Sequence, residues 1–372
     1  MTKDDLIAYK DYLKKIKLKE RDNLLVKDIS FGCEFEFNGI SEEFAETICK
    51  DLNNTSKNNF EISDDITVDA EIKTSILRNN KETWQEIKKL LFILNNLNTY
   101  VDERTASHIH VDTNKIDTRQ QLSTLIKTLC IFEPIIYRFG YGIETKAVDR
   151  IYEKKGHSTL TRILNPKEVQ SFINELDNNY HNHNKLTQSY LDFIYNKVFY
   201  RPGFNFREFD IFKIIPKQQF INLINQKKQK TEYYQEYYIP QNNNIEFRNF
   251  NGTLNYIIWQ NNVDLVTRII HGIANKKIDF DKISYLFDSY PKEAHEFYKG
   301  VNKKYIINNL KNRKEYNKYI DAFEIDNNPL VLEFINQFYN LFENDNISKE
   351  NFLKQYYKIY NEEDEYILNI KK

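Results

Sequence analysis

Stretches in which apolar and polar residues alternate predict the strands of this chain. Such alternation runs over residues 29–38 and 66–76, around Ile109, and over 204–209 and 245–250, and successive side chains of a strand point to opposite faces. Elsewhere apolar residues recur at helical spacing, which predicts helices over 3–20, 41–53, 81–97, 120–137 and 255–274. Ser41 is the expected N-cap of the second helix, and Pro134 is expected to break or kink the fourth.

The order and polarity of these elements indicate the fold class. Strands that are apolar on one side only, alternating with helices, favour an α+β fold with an antiparallel or mixed sheet over a fully buried parallel one. From about residue 276 onward the pattern is helical without a further clear strand. We therefore divide the chain into a domain over 1–275 and a helical C-terminal extension over 276–372. The extension is either a substrate-recruiting appendage or a supporting layer.

Composition and charge restrict the class of protein further. The 372 residues include 53 Lys and Arg against 54 Asp and Glu, a net charge of -1, which gives no sign of the basic surface typical of nucleic-acid binding. The three cysteines match no zinc-binding spacing. Since neither a signal peptide nor a run of about 18 apolar residues is present, we expect a cytoplasmic protein that acts on neither nucleic acid nor membranes.

The polar side of each predicted strand carries side chains with metal-binding or phosphate-binding chemistry. In the second strand these include Asp65, Asp69 and Lys73. The candidate site residues from all five strands are Glu34, Glu36, Glu71, His108, His110, Arg201, Asn205, Glu246 and Arg248. They would lie on one surface if the five strands are neighbours in one sheet.

Such a surface is typical of a site for divalent metals and phosphate. Clustered carboxylates repel one another unless cations lie between them, and Mg²⁺ or Mn²⁺ prefers oxygen ligands with an occasional imidazole. Arginine binds phosphate through two parallel hydrogen bonds. Each motif alone also has a simpler interpretation, because Glu-x-Glu and His-x-His occur on solvated strand faces and Glu-x-Arg occurs as a surface ion pair.

The succession of these motifs resembles the amidoligase family, ATP-dependent carboxylate-amine ligases related to glutamine synthetase and glutamate-cysteine ligase. The similarity extends over about residues 29–275. It is carried by the segments GCEFEF (32–37), DITVDAEIKTSIL (65–77), SHIHVD (107–112), RPGFN (201–205) and IEFRNFNGTL (245–254). The last segment is the most specific by itself.

The resemblance implies a fold, a reaction and a role for each candidate residue. The fold would be a glutamine synthetase-like antiparallel half-barrel, with helices on its convex face and ATP and Mg²⁺ (or Mn²⁺) on its concave face. ATP would phosphorylate a substrate carboxylate, and an amine would then displace phosphate to form an amide or isopeptide bond. By position, Glu34, His108 and Glu246 would hold the metal at the transferring phosphate, and Glu36 and Glu71 would hold a second metal. His110 would lie beside the nucleotide phosphates, and Arg248 would contact the γ-phosphate. Arg201 and Asn205 would line the substrate or phosphate region. Arg248, Glu34 and Glu246 would be the catalytic residues.

Two other functions remain open from the residues alone. A catalytically inactive relative would bind a nucleotide or a peptide and use the C-terminal helices as a partner surface. A metal-dependent phosphodiesterase would use the same ligand types. For a ligase, the acid and the amine would be amino acids, peptide-derived compounds or a protein side chain.

Overall fold

The computed structural model describes residues 10–22, 26–102, 104–140, 203–206, 208–210, 242–289, 344–357 and 359–367, with a few short stretches between them. Its strands are β1 (Phe31–Phe37), β2 (Phe60–Ser63), β3 (Ala70–Thr74), β4 (Ala106–Asp112), β5 (Phe204–Asn205) and β6 (Asn244–Asn251). Its helices are α1 (Glu42–Asn53), α2 (Lys81–Asn96), α3 (Arg119–Gly140), α4 (Tyr256–Ala274), α5 (Phe280–Ser289), α6 (Asn346–Tyr357) and α7 (Glu362–Ile367). No helix in this part of the chain is both long and apolar enough to cross a membrane.

The strands form a six-stranded antiparallel sheet in the order β2-β3-β1-β4-β6-β5. Glu34 on β1 lies opposite Lys73 on β3 and His108 on β4. Farther along the ladders, Glu36 faces Glu71, and His110 faces Glu246. The prediction that the polar strands are neighbours in one sheet is confirmed, as is a mixed fold of helices with an antiparallel sheet. The half-barrel shape stays a prediction.

The apolar face of the sheet and the helices that cover it form the hydrophobic core. Phe31 stacks on Trp84 of α2 with ring centroids 5.6 Å apart, and Phe35 contacts Trp259 of α4 at 4.3 Å. The sheet residues of this core include Phe31, Cys33, Phe35, Phe37, Ala70, Ile72, Ile109, Val111, Phe204, Ile245 and Phe247. Because these residues repeat with period two, their burial fixes which side chains remain on the opposite face.

The segment between α1 and α2 differs from the predicted single strand over 66–76. It contains two strands, β2 and β3, joined by a turn, and Ile66 is 99% exposed rather than buried. Asp65 explains the interruption, since its carboxylate accepts hydrogen bonds from the backbone N–H and the hydroxyl of Thr67 at 2.7 and 2.6 Å. Such local bonds compete with strand pairing.

Three other predicted boundaries are wrong. The opening helix does not continue to residue 20: residues 17–20 are not helical, and the backbone there is bound by C-terminal side chains, with Asn351 Nδ2 donating to Lys19 O at 2.7 Å. α3 passes Pro134 without the predicted break, because its buried residues, such as Leu129 and Phe132, stabilise it more than the lost backbone bond costs. A kink at Pro134 stays a prediction. The strand predicted over 204–209 is limited to β5, since Phe209 N donates to Phe206 O in a turn.

The described part of the C-terminal segment packs into the same core as the sheet. α6 lies against α3 and α4, and Phe352 stacks on Phe139 at 5.1 Å. Lys354 of α6 is fully buried and pairs with Asp364 at 2.7 Å. These contacts are those of a supporting layer, whereas the boundary at residue 275 stays a prediction.

A buried ion network joins the N-terminal segment, α4 and the residues before α6. The carboxylate of Asp264, 1% exposed, accepts from Arg21 at 3.1 Å and from Arg268 at 2.8 Å. Arg268 also pairs with Asp345 at 2.7 Å. Two carboxylates therefore balance two buried guanidinium groups, and Asp264 is shared by both of them.

We expect the Asp264→Ala variant to lower the free energy of unfolding by about 3–5 kcal/mol, because it leaves two buried cations without their shared partner. Urea unfolding followed by circular dichroism measures this loss. The matched control is Glu46→Ala, which removes an exposed pair with Lys50 at 3.0 Å and is expected to change stability by less than about 0.5 kcal/mol. Equal stability of the two variants would contradict a structural role for the network.

Candidate active site

Six side chains gather on the polar face of β1, β3, β4 and β6, and we call them the acidic cluster: Glu34, Glu36, Glu71, His108, His110 and Glu246. All but His110 are less than a tenth exposed. The simpler interpretation of a solvated strand face is therefore wrong for these residues. Buried carboxylates at this density need cations or hydrogen-bond donors between them.

Glu34 occupies the centre of the acidic cluster. Its Oε2 lies 2.8 Å from His108 Nδ1, and its Oε1 lies 3.0 Å from His110 Nε2. Burial acts to raise the pKa of Glu34, but the hydrogen bonds from the two histidines prevail and hold it well below its usual range. Although burial opposes its charge, the contact with Glu34 and the charge of Glu246 raise the pKa of His110 to about 9. The centre of the cluster is thus an ionised carboxylate between imidazoles.

Ligand atoms converge in two groups within the cluster. Glu34, His110 and Glu246 offer atoms that lie within 4.8 Å of one another, and so do Glu36, Asp65 and Glu71. His108 stands between the groups, since its Nε2 is 3.4 Å from Glu36 Oε1 and its Nδ1 is 2.8 Å from Glu34. The structure also brings together the ligand set implied by the resemblance, because His108 Nδ1 lies 3.7 Å from Glu246 Oε1 as well. To that set it adds His110 near the first group and Asp65 in the second.

Glu71 is the least satisfied member of the cluster. Its Oε1 is buried and has no hydrogen-bond partner in the described part of the chain, although Lys73 Nζ lies 3.3 Å away. Burial, followed by the charge of Glu34, raises the pKa of Glu71 to about 7. Beside it, Glu36 accepts a 2.5 Å bond from Ala106 N. A buried carboxylate oxygen that accepts no hydrogen bond and lies next to other carboxylates suits a divalent cation, which accepts several oxygen ligands at once.

Arg248 and Asn205 border the cluster on the β6 side. Both donate to Glu246: Arg248 through NH1, and Asn205 through Nδ2 at 2.7 Å. Burial opposes the charge of Glu246, but the guanidinium of Arg248 outweighs it and lowers the pKa of Glu246. The Nε of Arg248 is buried and has no hydrogen-bond partner among the described residues. Arg201 and most of the segment 138–200 lie outside the described residues.

A bulge in β6 brings one further residue to this region. Ile109 pairs with Phe247 while Ser107 pairs with Phe250, so that both Arg248 and Asn249 stand opposite His108. Asn249 is 1% exposed, and neither atom of its amide has a partner within the described ranges. Simple alternation assigns Asn249 to the apolar face, and only the tertiary pairing reveals the extra residue that interrupts it.

The Gly-Thr-Leu turn after β6 positions α4 behind the site. Gly252 passes so close to Thr105 that a Cβ at this position would lie 2.6 Å from Thr105 Cβ. Thr253 O accepts from Trp259 Nε1 at 2.8 Å, and Asn255 caps α4 by accepting from Ile257 N and Ile258 N. The turn thereby joins the end of the strand that carries Glu246 to the start of β4 and to the core.

Comparison with known proteins gives one family. A family model described as "Putative amidoligase enzyme" matches residues 49–270, more than half of the chain. This span includes β2 to β6 and begins after β1, so Glu34 and Glu36 lie outside the match. No curated protein and no solved structure matches the chain.

We expect Gly252→Ala to lower the free energy of unfolding by about 1–3 kcal/mol, because the added methyl group overlaps Thr105. Thermal or urea unfolding measures the loss. Gly32→Ala is the matched control in β1, where a Cβ would make ordinary contacts of 3.7 Å to His110 Cβ and 3.9 Å to Thr74 Oγ1. That variant should be as stable as the parent or more stable by up to about 1 kcal/mol. A Gly252→Ala protein of parental stability would show that the close approach has no structural importance.

Proposed function

The chain belongs to the amidoligase family, and we propose that it is an ATP-dependent, ADP-forming ligase that joins a carboxylate to an amine through an acyl-phosphate. Family membership itself indicates a ligase whose substrates carry carboxylate and amine groups. The finer proposal is carried by one observation, the buried acidic cluster with Arg248 at its border. This combination of cation ligands and a guanidinium stabilises the phosphate charge in phosphoryl transfer.

The donor set of the cluster fits Mg²⁺ or Mn²⁺. Carboxylate oxygens with an occasional imidazole are what these ions prefer. The Oε1 of Glu71, which accepts no hydrogen bond in the described part of the chain, is an oxygen that a cation would satisfy. Glu34 and Glu246 would hold one ion together with His108 or His110, both of which have a ring nitrogen near these carboxylates. Glu36, Asp65 and Glu71 would hold a second. When bound, such ions neutralise and align the phosphate oxygens of ATP.

Arg248 is the residue suited to the transferring phosphate. Its NH1 is held by Glu246, which fixes the plane of the guanidinium. Its Nε has no partner in the described part of the chain and is available to a phosphate oxygen. The group is also buried, with 9% of its side chain exposed, so that its charge acts with little screening by water.

The proposed reaction has two displacement steps. A carboxylate oxygen of the acid attacks the γ-phosphorus of ATP, the bond from this phosphorus to the β,γ-bridging oxygen breaks, and ADP leaves. The deprotonated amine then attacks the acyl carbon, the bond from this carbon to the phosphate oxygen breaks, and inorganic phosphate leaves. Arg248 stabilises the charge on the phosphoryl oxygens, and exclusion of water from the buried site protects the acyl-phosphate from hydrolysis.

The activity is tested by mass spectrometry on a pool of carboxylic acids and amines incubated with the protein, ATP and Mg²⁺. We expect a product that has lost one water, together with ADP and phosphate in equal amounts. Glu34→Gln and Arg248→Ala should each lower the rate by about 10²–10³, as for loss of one group that stabilises transition-state charge. Glu46→Gln, on the exposed side of α1, should retain the parental rate.

The products also separate the alternatives. AMP and pyrophosphate, or full activity in both site variants, would contradict the proposal. Nucleotide binding without any turnover would favour the catalytically inactive relative, and release of nucleotides from DNA or RNA would favour the phosphodiesterase.

Metal binding is expected to stabilise the fold, because a cation that binds the folded acidic cluster shifts the unfolding equilibrium, by about 2.7 kcal/mol at a concentration 100-fold above its Kd. The melting temperature should rise with Mg²⁺ or Mn²⁺ and fall again when EDTA is added. Glu71→Gln should weaken this response, whereas Glu46→Gln should show the parental shift. A melting temperature that is indifferent to both ions would contradict the metal assignment.

A further inference from the structure

A lysine lies at the edge of the acidic cluster, and no step of the proposed reaction uses it. Lys73 on β3 points to the polar face, and its Nζ is 3.0 Å from Glu34 Oε1 and 3.3 Å from Glu71 Oε1. Its side chain is 42% exposed, against 10% and 5% for those two partners. Lys73 therefore reaches from the edge of the cluster toward its centre.

We propose that Lys73 is an internal counter-ion of the metal-free protein and, once divalent cations have taken its place, binds an oxyanion of the substrates on the β3 side of the site. The inference rests on the proposed function, since it takes the acidic cluster to be the metal site. In addition to Arg248, it assigns to Lys73 a role in positioning the substrates.

The contacts of Lys73 make it a competitor of the metal. Glu34 belongs to one group of converging ligand atoms and Glu71 to the other, so the ammonium bridges both. A divalent cation on either carboxylate would lie within a few ångströms of the ammonium, where two like charges repel strongly. Binding of the metal and the present position of Lys73 therefore exclude each other.

Lys73 can leave this position at little structural cost. Its ammonium ends a flexible four-carbon stem with three rotatable donors, and the exposed part of the side chain gives it room to move. Arg248 differs, because it is buried and held by Glu246. A change of rotamer at Lys73 requires no repacking of the core.

The sheet order places Lys73 and Arg248 on opposite sides of the acidic cluster. β3 and β6 are separated by β1 and β4, so that Lys73 and Arg248 are three strand spacings, roughly 14 Å, apart. The cluster and Asp65 together bring five carboxylates, against the positively charged side chains of Lys73 and Arg248. Two divalent cations would reverse this excess of negative charge, and a released Lys73 would then attract an anion. The reaction supplies oxyanions in the ATP phosphates and in the carboxylate of the acid.

The first test is Mn²⁺ binding without substrates, followed by electron paramagnetic resonance. We expect Lys73→Met to bind Mn²⁺ about tenfold more tightly than the parent, the order given by removal of two partly exposed ion pairs. Lys73→Arg retains the charge and should bind Mn²⁺ as the parent does. Lys50→Met, which removes a lysine from the exposed pair with Glu46 on α1, is the matched control and should leave the affinity unchanged.

The second test is calorimetric binding of ATP and of ADP at saturating Mn²⁺. If Lys73 binds the γ-phosphate, Lys73→Met should bind ATP about tenfold more weakly and ADP as the parent does. If it binds the carboxylate of the acid, both nucleotide affinities are retained and the KM for the acid rises about tenfold. The expected signature of Lys73→Met is therefore tighter binding of Mn²⁺ together with weaker binding of ATP or of the acid. Removal of a merely structural lysine would weaken the binding of both the metal and the oxyanion.

Three results would overturn the inference in distinguishable ways. Unchanged Mn²⁺ affinity in Lys73→Met, with normal binding by the parent, would refute the role of Lys73 and leave the proposed function intact. A parent protein that binds no Mn²⁺ would refute both proposals. Tighter Mn²⁺ binding without any loss of affinity for ATP or for the acid would refute the oxyanion role.

Discussion

The pairing of β1 with β3 and β4 is the constraint on which the rest of the site depends. This register sets Glu34 between Lys73 and His108, and the alternate residues Cys33 and Phe35 are fully buried on the other face. A slip by one residue would exchange the two sets, placing carboxylates in the core and phenyl rings in the site. The aromatic contacts of Phe31 and Phe35 with Trp84 and Trp259 therefore fix the positions of the carboxylates of the acidic cluster from the opposite face of the sheet.

The buried negative charges of the acidic cluster oppose folding and favour the binding of cations. Burial disfavours the charge on Glu34, Glu71 and Glu246 alike, and the protein compensates with the histidines, Arg248 and Lys73. The compensation is incomplete at Glu71, whose pKa is raised to about 7 by burial and by the charge of Glu34. A polar group left short of partners in a buried site is typical of a place where function rather than stability selects the residue.

The parts of the fold that follow from local periodicity were predictable from the sequence. β1 alternates strictly, as do the residues of β4 from His108 onward and those of β6 up to Arg248, and Ser41 and Asn255 cap their helices by local bonds. Two features could not be predicted because they depend on tertiary pairing: the bulge that sets both Arg248 and Asn249 opposite His108, and the approach of both His108 and His110 to Glu34. Periodicity does not encode pairing between residues far apart in the chain. The Asp65 turn is local, but the alternation of residues 66–72 resembles a continuous strand and hides it.

In the described structure, the C-terminal helices support the site by packing against the helices behind the sheet, and not by contact with the acidic cluster. α4 begins at the turn that follows β6, with its N-terminal residues fixed by Thr253 and Asn255. Farther along, Asp264 and Arg268 bind it to the N-terminal segment and to Asp345 before α6. Because Trp259 of the same helix packs on Phe35, the ion network restrains the element that supports β1. The described part of the extension thus supports the register of β1, and a change in its buried charges would affect the acidic cluster through α4.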